Sequence, residues 1–146
     1  MILASEDIGN ANPNALLMAT TTMQAVQMIG WPEGRIILSQ CAIHLACSPK
    51  SNASYRAIGA AQAKVKETGD LPVPLALRNA PTRLMKELDY GKEYRYSHDG
   101  VGNFIAQEFM PEKLAGTVFY EPGDNPREQE YRAMLRRLWN GKYEGA

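Results

Sequence analysis

The chain has 146 residues, 45% of them hydrophobic and 22% charged, with sixteen basic residues set against sixteen acidic ones. That length suits one domain with one core of ordinary proportions, and a second independent core is not expected. The charge balance excludes a global positive field, so attraction to nucleic acid would have to come from local patches. The two cysteines, Cys41 and Cys47, lie in an apolar segment, offer no disulfide framework and fit a reducing cytosol; no secretory signal is recognisable at the start.

In chain order, Ile2 to Ile8 before Gly9 has the character of a last helical turn closed by glycine, too short to stand alone. Acidic residues near a helix C-terminus oppose its dipole, which leaves a capped turn starting at Ser5 as the alternative. The uncharged run from Ile8 to Pro32 is long enough to raise the question of a membrane. Its asparagines, threonines, glutamines and Pro13 make a lipid-spanning helix a poor reading and a helix buried in protein a better one. Asn12-Pro13 is a helix start, with the helix running to about Ile29 and closing at Gly30. Leu16, Ala19, Met23 and Val26 form one stripe at helical spacing, while Met18, Ala25 and Ile29 form another on nearly the opposite side. Such a helix needs cover on both faces.

After Trp31-Pro32-Glu33-Gly34, a second helix is expected from Arg35 to about Cys47, with Leu38, Cys41, Ala42 and Leu45 inward. The short connection predicts antiparallel neighbours. Ser48-Pro49 ends it, and Ser51 or Asn52 can cap a third, alanine-rich helix reaching about Thr68. Residues 1–68 are therefore read as a helical array. From residue 69 the prolines at 72, 74 and 81 predict an extended strap, followed by a short helix from Pro81 to Leu88 anchored by Leu84, Met85 and Leu88. Up to residue 124 the chain is irregular and pegged by aromatic residues such as Tyr94, Tyr96, Phe104, Phe109 and Phe119. Asn125-Pro126 starts a last helix running to about Asn140, its apolar side made by Tyr131, Leu135 and Leu138 and its boundary region reaching residue 142.

The stretch Leu71-Pro-Val-Pro-Leu-Ala-Leu-Arg-Asn-Ala-Pro-Thr-Arg-Leu-Met-Lys-Glu-Leu-Asp-Tyr-Gly-Lys-Glu-Tyr-Arg-Tyr96 carries a resemblance, as do Ala4-Ser-Glu-Asp-Ile-Gly9, Pro32-Glu-Gly-Arg35 and Ser48-Pro-Lys-Ser-Asn-Ala53. Together they resemble the C-terminal domain of the replication-associated recombination protein A family, a branch of the AAA+ ATPases related to clamp loaders and to the Werner helicase-interacting ATPase. The chain departs from that pattern at Asp89, where glycine is expected, and at Ser97, where proline is usual. The resemblance implies that Met1 marks a boundary inside a longer protein whose ATPase module precedes this domain.

No nucleotide site is legible in the residues present. A phosphate loop needs Gly-x-x-x-x-Gly-Lys followed by Ser or Thr, whereas the Gly-Lys pairs here read Gly91-Lys92-Glu93 and Gly141-Lys142-Tyr143. Cys41-x-x-His44-x-x-Cys47 invites a metal, but three-residue steps on one helix fan the ligands over too wide an arc for a tetrahedral site, and buried small cysteines are the better reading. His98-Asp99, in a glycine-flanked loop, has no activated nucleophile nearby.

Arg78, Arg83, Lys86 and Arg95 with Tyr96 could form a basic, aromatic surface for DNA, diluted by Glu87, Asp89 and Glu93. In the last helix Glu128 and Arg132 have i, i+4 spacing and are expected to pair. Arg78-Asn79-Ala80-Pro81-Thr82 reads as architecture, with Thr82 capping the helix and Arg78 clamping carbonyls or a carboxylate.

The expectation is thus an all-α domain spanning 1–146, a helical array like a clamp-loader collar with a strap and an irregular second half. It would be non-catalytic, bind no metal or cofactor itself, and serve as an oligomerisation domain. Candidate contact residues are Leu16, Met18, Met23, Val26 and Ile29. The resemblance implies a homotetrameric, DNA-dependent ATPase acting at replication forks, cytoplasmic and nucleoid-associated. It would use ATP and magnesium in its other module and have DNA and single-strand-binding protein as partners. The alternative is a DNA-binding module acting through Arg78, Arg83, Lys86, Arg95 and Tyr96.

Overall fold

The computed structural model describes residues 1–139 and 141–144. Five α-helices and no strand occur among them: α1 Asn14–Ile29, α2 Gly34–Cys47, α3 Ala53–Thr68, α4 Arg83–Glu87 and α5 Pro126–Trp139. The expected extension of α5 to Asn140, like residues 145 and 146, lies outside the described residues. The fold class is all-α. The chain forms two compact units, one of residues 1–62 with 119–134 and one of 63–118 with 135–139 and 141–144, so that α3 and α5 are each divided between them.

In the first unit, the turn Ala4–Ile8 is a π-helical one closed by Gly9 at φ +49°, whose N–H returns to the Ala4 carbonyl. Asn12 starts α1 by accepting the Asn14 N–H on its side chain at 3.2 Å, and Gly30 ends it at φ +74°. α1 and α2 form an antiparallel hairpin. The Gly34 end of α2 lies against Val26, Cys41 shares a cluster with Ala19, and Asn12 bonds Ser48 at 2.9 Å and the His44 ring at 3.3 Å. The missing Cβ of Gly34 would sit 3.3 Å from Val26 Cγ1, so glycine is what lets the hairpin close there.

The core of this unit is small-sided: Ala4, Ile8, Ala15, Ala19 and Cys41, with Met18 and Leu45 packed on it. The buried stripe of α1 is Ala15, Ala19 and Thr22. Of the expected stripe Leu16, Ala19, Met23 and Val26, Ala19 is buried and Val26 half-buried, while Leu16 and Met23, also expected as contact residues, face outward, because the π-turn and α2 approach the alanine side. On α2, Cys41 and Leu45 face in as expected, but Leu38 and Ala42 are exposed. Cys47, expected to be buried beside Cys41, is exposed too.

In the second unit, the strap contains one 3-10 turn, Leu75–Leu77. Arg78 fixes it by donating from Nε to the Val73 carbonyl at 2.7 Å while its guanidinium lies over the Tyr90 ring at 5.0 Å. Thr82 caps α4 by accepting the Met85 N–H at 3.3 Å. α4 is shorter than expected, and its supposed anchors Leu84 and Leu88 are exposed while Met85 is half-buried. Asp89, in the place where glycine was expected, adopts φ +61°, a conformation glycine enters freely and aspartate tolerates. Phe104 and Phe109 meet Trp139 edge-on at 5.3 and 6.3 Å, so aromatic pegs do hold part of the irregular segment.

Two glycines give opposite expectations. A Cβ on Gly9 would meet the Ser51 carbonyl at 2.7 Å at a backbone angle that strains side chains, whereas Gly59 in α3 has open space. Gly9→Ala is expected to cost roughly 2–3 kcal/mol and Gly59→Ala to gain about 0.5–1 kcal/mol, read by urea unfolding.

Candidate assembly surface

Between Asp7 and Lys50 the only charged residues are Glu33 and Arg35. A surface helix normally turns a charged face to water. Here the exposed surface of the α1–α2 hairpin carries instead Leu16, Leu17 (62% exposed), Met23, Met28 (87%), Trp31 (69%), Ile36, Leu38 and Ile43 (64%). The polar residues between them on α1 are neutral, Thr20, Thr21, Gln24 and Gln27, and Thr20 and Thr21 spend their hydroxyls on the carbonyls of Leu16 and Leu17 at 2.9 Å. Exposed large apolar side chains in a segment with so little charge mark a candidate interaction surface.

Of the five contact residues expected from sequence, Leu16, Met23 and Ile29 lie on the exposed surface. Met18 is packed on the core, and Val26 is half-buried beside Gly34. Leu17, Met28, Trp31, Ile36 and Ile43 were missed by stripe reading; the near-absence of charge across both helices was the available signal.

The unit's polar anchor is Glu128, wholly buried in the first turn of α5. Its carboxylate accepts from Tyr120 Oη at 2.8 Å and from Asn125 Nδ2, while its own N–H goes to Asn125 Oδ1 at 3.0 Å. Burial by itself would raise its pKa, but bonds from the side chains of Ser51, Tyr120 and Asn125 and from the Gly123 backbone outweigh that and hold it below the usual carboxylate range. Tyr120 is pushed up by its burial first and by the Glu128 bond second, with Asn10 acting in the opposite direction. The expected Glu128–Arg132 pair does not form. Arg132 turns instead to Asp124 at 3.2 Å and to the Pro122 carbonyl, because the buried carboxylate is already filled by shorter-range donors.

Glu108 is the counterpart in the second unit. Its oxygens take the N–H groups of Met110 at 3.0 Å and Gly116 at 2.7 Å, and Lys142 pairs with it at 3.2 Å. Partial burial would raise it, but those bonds dominate and lower it from 4.5 to about 2. Lys142 also lies over the Trp139 ring at 5.0 Å, and Lys92 pairs with Asp89 at 3.1 Å, so each lysine of the two Gly-Lys sequences has an internal partner.

Of the basic residues weighed for DNA, Arg78 is committed to Val73 and Tyr90 and Arg83 pairs with Glu87 at 2.9 Å; Lys86, Arg95 and Tyr96 are exposed. His98 is exposed beside the Tyr96 ring at 5.0 Å. Among the described residues no three His, Cys, Asp or Glu side chains are grouped to hold a metal, and no helix is long and apolar enough to cross a membrane.

Residues 1–139 match the family described as MgsA AAA+ ATPase C terminal. The chain belongs to that family. It is 52% identical over 134 residues to replication-associated recombination protein A of Coxiella burnetii, the alignment covering 91% of this chain and 30% of that protein. The protein of the same name from Escherichia coli strain K12 is 46% identical over 139 residues, covering 94% and 31%. ATPase WRNIP1 of Dictyostelium discoideum, a more distant relative, is 38% identical over 121 residues, covering 82% and 14%. The chain spans under a third of the length of the two bacterial relatives.

Two predictions follow from the anchors. Glu128→Gln places an amide donor among donors and is expected to cost roughly 2–4 kcal/mol in chemical unfolding, while Glu121→Gln, at an exposed 3.5 Å pair with Arg56, changes stability by under about 0.5 kcal/mol. Glu108 has a depressed folded pKa, so its contribution is complete above the ordinary 4.5 and is lost as pH falls toward about 2. The Glu108→Gln variant is expected to show a shallower fall in thermal midpoint across that window.

Proposed function

We propose that this chain is the assembly module of an AAA+ protein of replication-associated recombination, joining copies through the outer face of the α1–α2 hairpin. The observation that carries this reading is the exposed, uncharged, apolar face described above. Burying five large side chains per copy is worth on the order of 1.5–3 kcal/mol each before association costs of roughly 4–15 kcal/mol, enough to favour a pair or a higher oligomer. Family membership supports the same reading: the relatives are named for replication-associated recombination and for ATPase activity, and they are far longer than this chain.

In such a protein ATP and magnesium belong to the remaining length, and this domain, without catalysis of its own, holds the motors together as a collar does in clamp loaders. A homotetramer is the proposed state, cytoplasmic and nucleoid-associated, with DNA and single-strand-binding protein as partners of the whole protein. The second reading is direct DNA contact, favoured by the exposure of Lys86, Arg95 and Tyr96 in the second unit. Two outcomes separate them.

Light scattering over a wide concentration range is expected to show self-association of the chain, and Leu17→Glu or Met28→Glu to weaken it at least about tenfold by placing a charge in the contact. A monomer at every concentration contradicts the assembly reading. Fluorescence anisotropy with forked DNA at two salt concentrations is expected to show no steeply salt-dependent binding; micromolar binding that falls sharply with salt favours the second reading.

A further inference from the structure

Glu33 and Arg35 stand at the tip of the hairpin, opposite in sign, both exposed, in a segment otherwise free of charge. Residues two apart do not face one another on a helix, and neither side chain has an ion-pair partner among the described residues. Glu33 suits the start of α2, whose dipole favours an anion. Arg35 has the wrong sign for that position, so local helix energetics do not account for it. Flanking the two charges in sequence are Met28, Ile29, Trp31 and Ile36, among the more exposed large apolar residues of the unit. A highly exposed tryptophan next to charged residues has the composition of an interface anchor beside its rim.

An isologous contact requires self-complementarity: whatever residue i meets on its partner, the partner's residue meets on i. A lone acid and a lone base on one tip satisfy that condition. We infer that two copies of this chain meet tip to tip about a two-fold axis, with Glu33 of each opposite Arg35 of the other and the Trp31 side chains buried between them. This rests on the assembly reading and specifies its register. Rim charges of this kind select the partner and its alignment, with the apolar centre supplying affinity.

Sedimentation equilibrium of Glu33→Arg, Arg35→Glu and the doubly exchanged chain tests it. Each single reversal leaves a tip of one sign and is expected to weaken self-association at least about tenfold, while the double exchange restores it to within about threefold of the original. A one-to-one mixture of the two single variants is expected to form a mixed complex that neither forms alone, a result that a change in helix stability would not produce. Circular dichroism verifies that each variant is folded. If both single reversals leave the association constant unchanged, or the mixture stays dispersed, the tip pairing is overturned. If Leu17→Glu disperses the copies while the reversals have no effect, the assembly reading stands and only this register falls.

Discussion

The first unit depends on close approach of its helices through small side chains. Among the described residues its buried apolar side chains are alanines 4, 11, 15, 19 and 53 with Cys41 and a single large one, Ile8. Alanine and glycine contacts bring backbones together, as where Gly34 meets Val26, but each removes little apolar area from water. The large residues of α1 and α2 are thereby turned outward. A hairpin built this way has a tight inner seam and an apolar exterior, and the assembly proposal rests on that exterior.

What the small core lacks in area is made up by polar anchors placed at chain-distant points. Glu128 gathers Ser51, Tyr120, Gly123 and Asn125 around one buried carboxylate, tying the start of α5 to the segment that leads into α3. Gly123 is part of the arrangement, since a Cβ there would approach Glu128 Oε2 at 2.8 Å. Within the second unit, Glu108 does comparable work for a segment with almost no regular structure, capturing the backbone N–H groups of Phe109, Met110 and Gly116 and the Lys142 ammonium. Both carboxylates are held ionised by donors, so both anchors weaken in acid and neither calls for a catalytic explanation.

The helical half of the chain was largely legible in the sequence because its punctuation is explicit. Asn12-Pro13, Gly30, Ser48-Pro49 and Asn125-Pro126 mark boundaries that the structure keeps within a residue or two. Thr82 and Arg78 also act as the Arg-Asn-Ala-Pro-Thr motif implies. The inward faces were harder, since hydrophobic periodicity assumes that the largest apolar residues seek the core. Here alanine determines the inner seam, so Leu16 and Met23 face outward although they share a sequence stripe with buried Ala19, and Leu38 was assigned to the wrong side. Glu128 was hidden for a related reason: an acid four residues before an arginine looks like a solvated pair, and nothing local shows that Ser51 and Tyr120 converge on it. Leu84 and Leu88 failed as anchors because a five-residue helix offers almost no face to bury.

The central claim is that the outer face of the α1–α2 hairpin is covered by another copy of the chain. Hydroxyl-radical labelling of Met28 and Trp31 across a dilution series tests it directly, with exposed Met134 as the internal reference. The account predicts that labelling of Met28 and Trp31 is low at high concentration and rises on dilution while that of Met134 stays constant. Full labelling of Met28 and Trp31 at every concentration would contradict it.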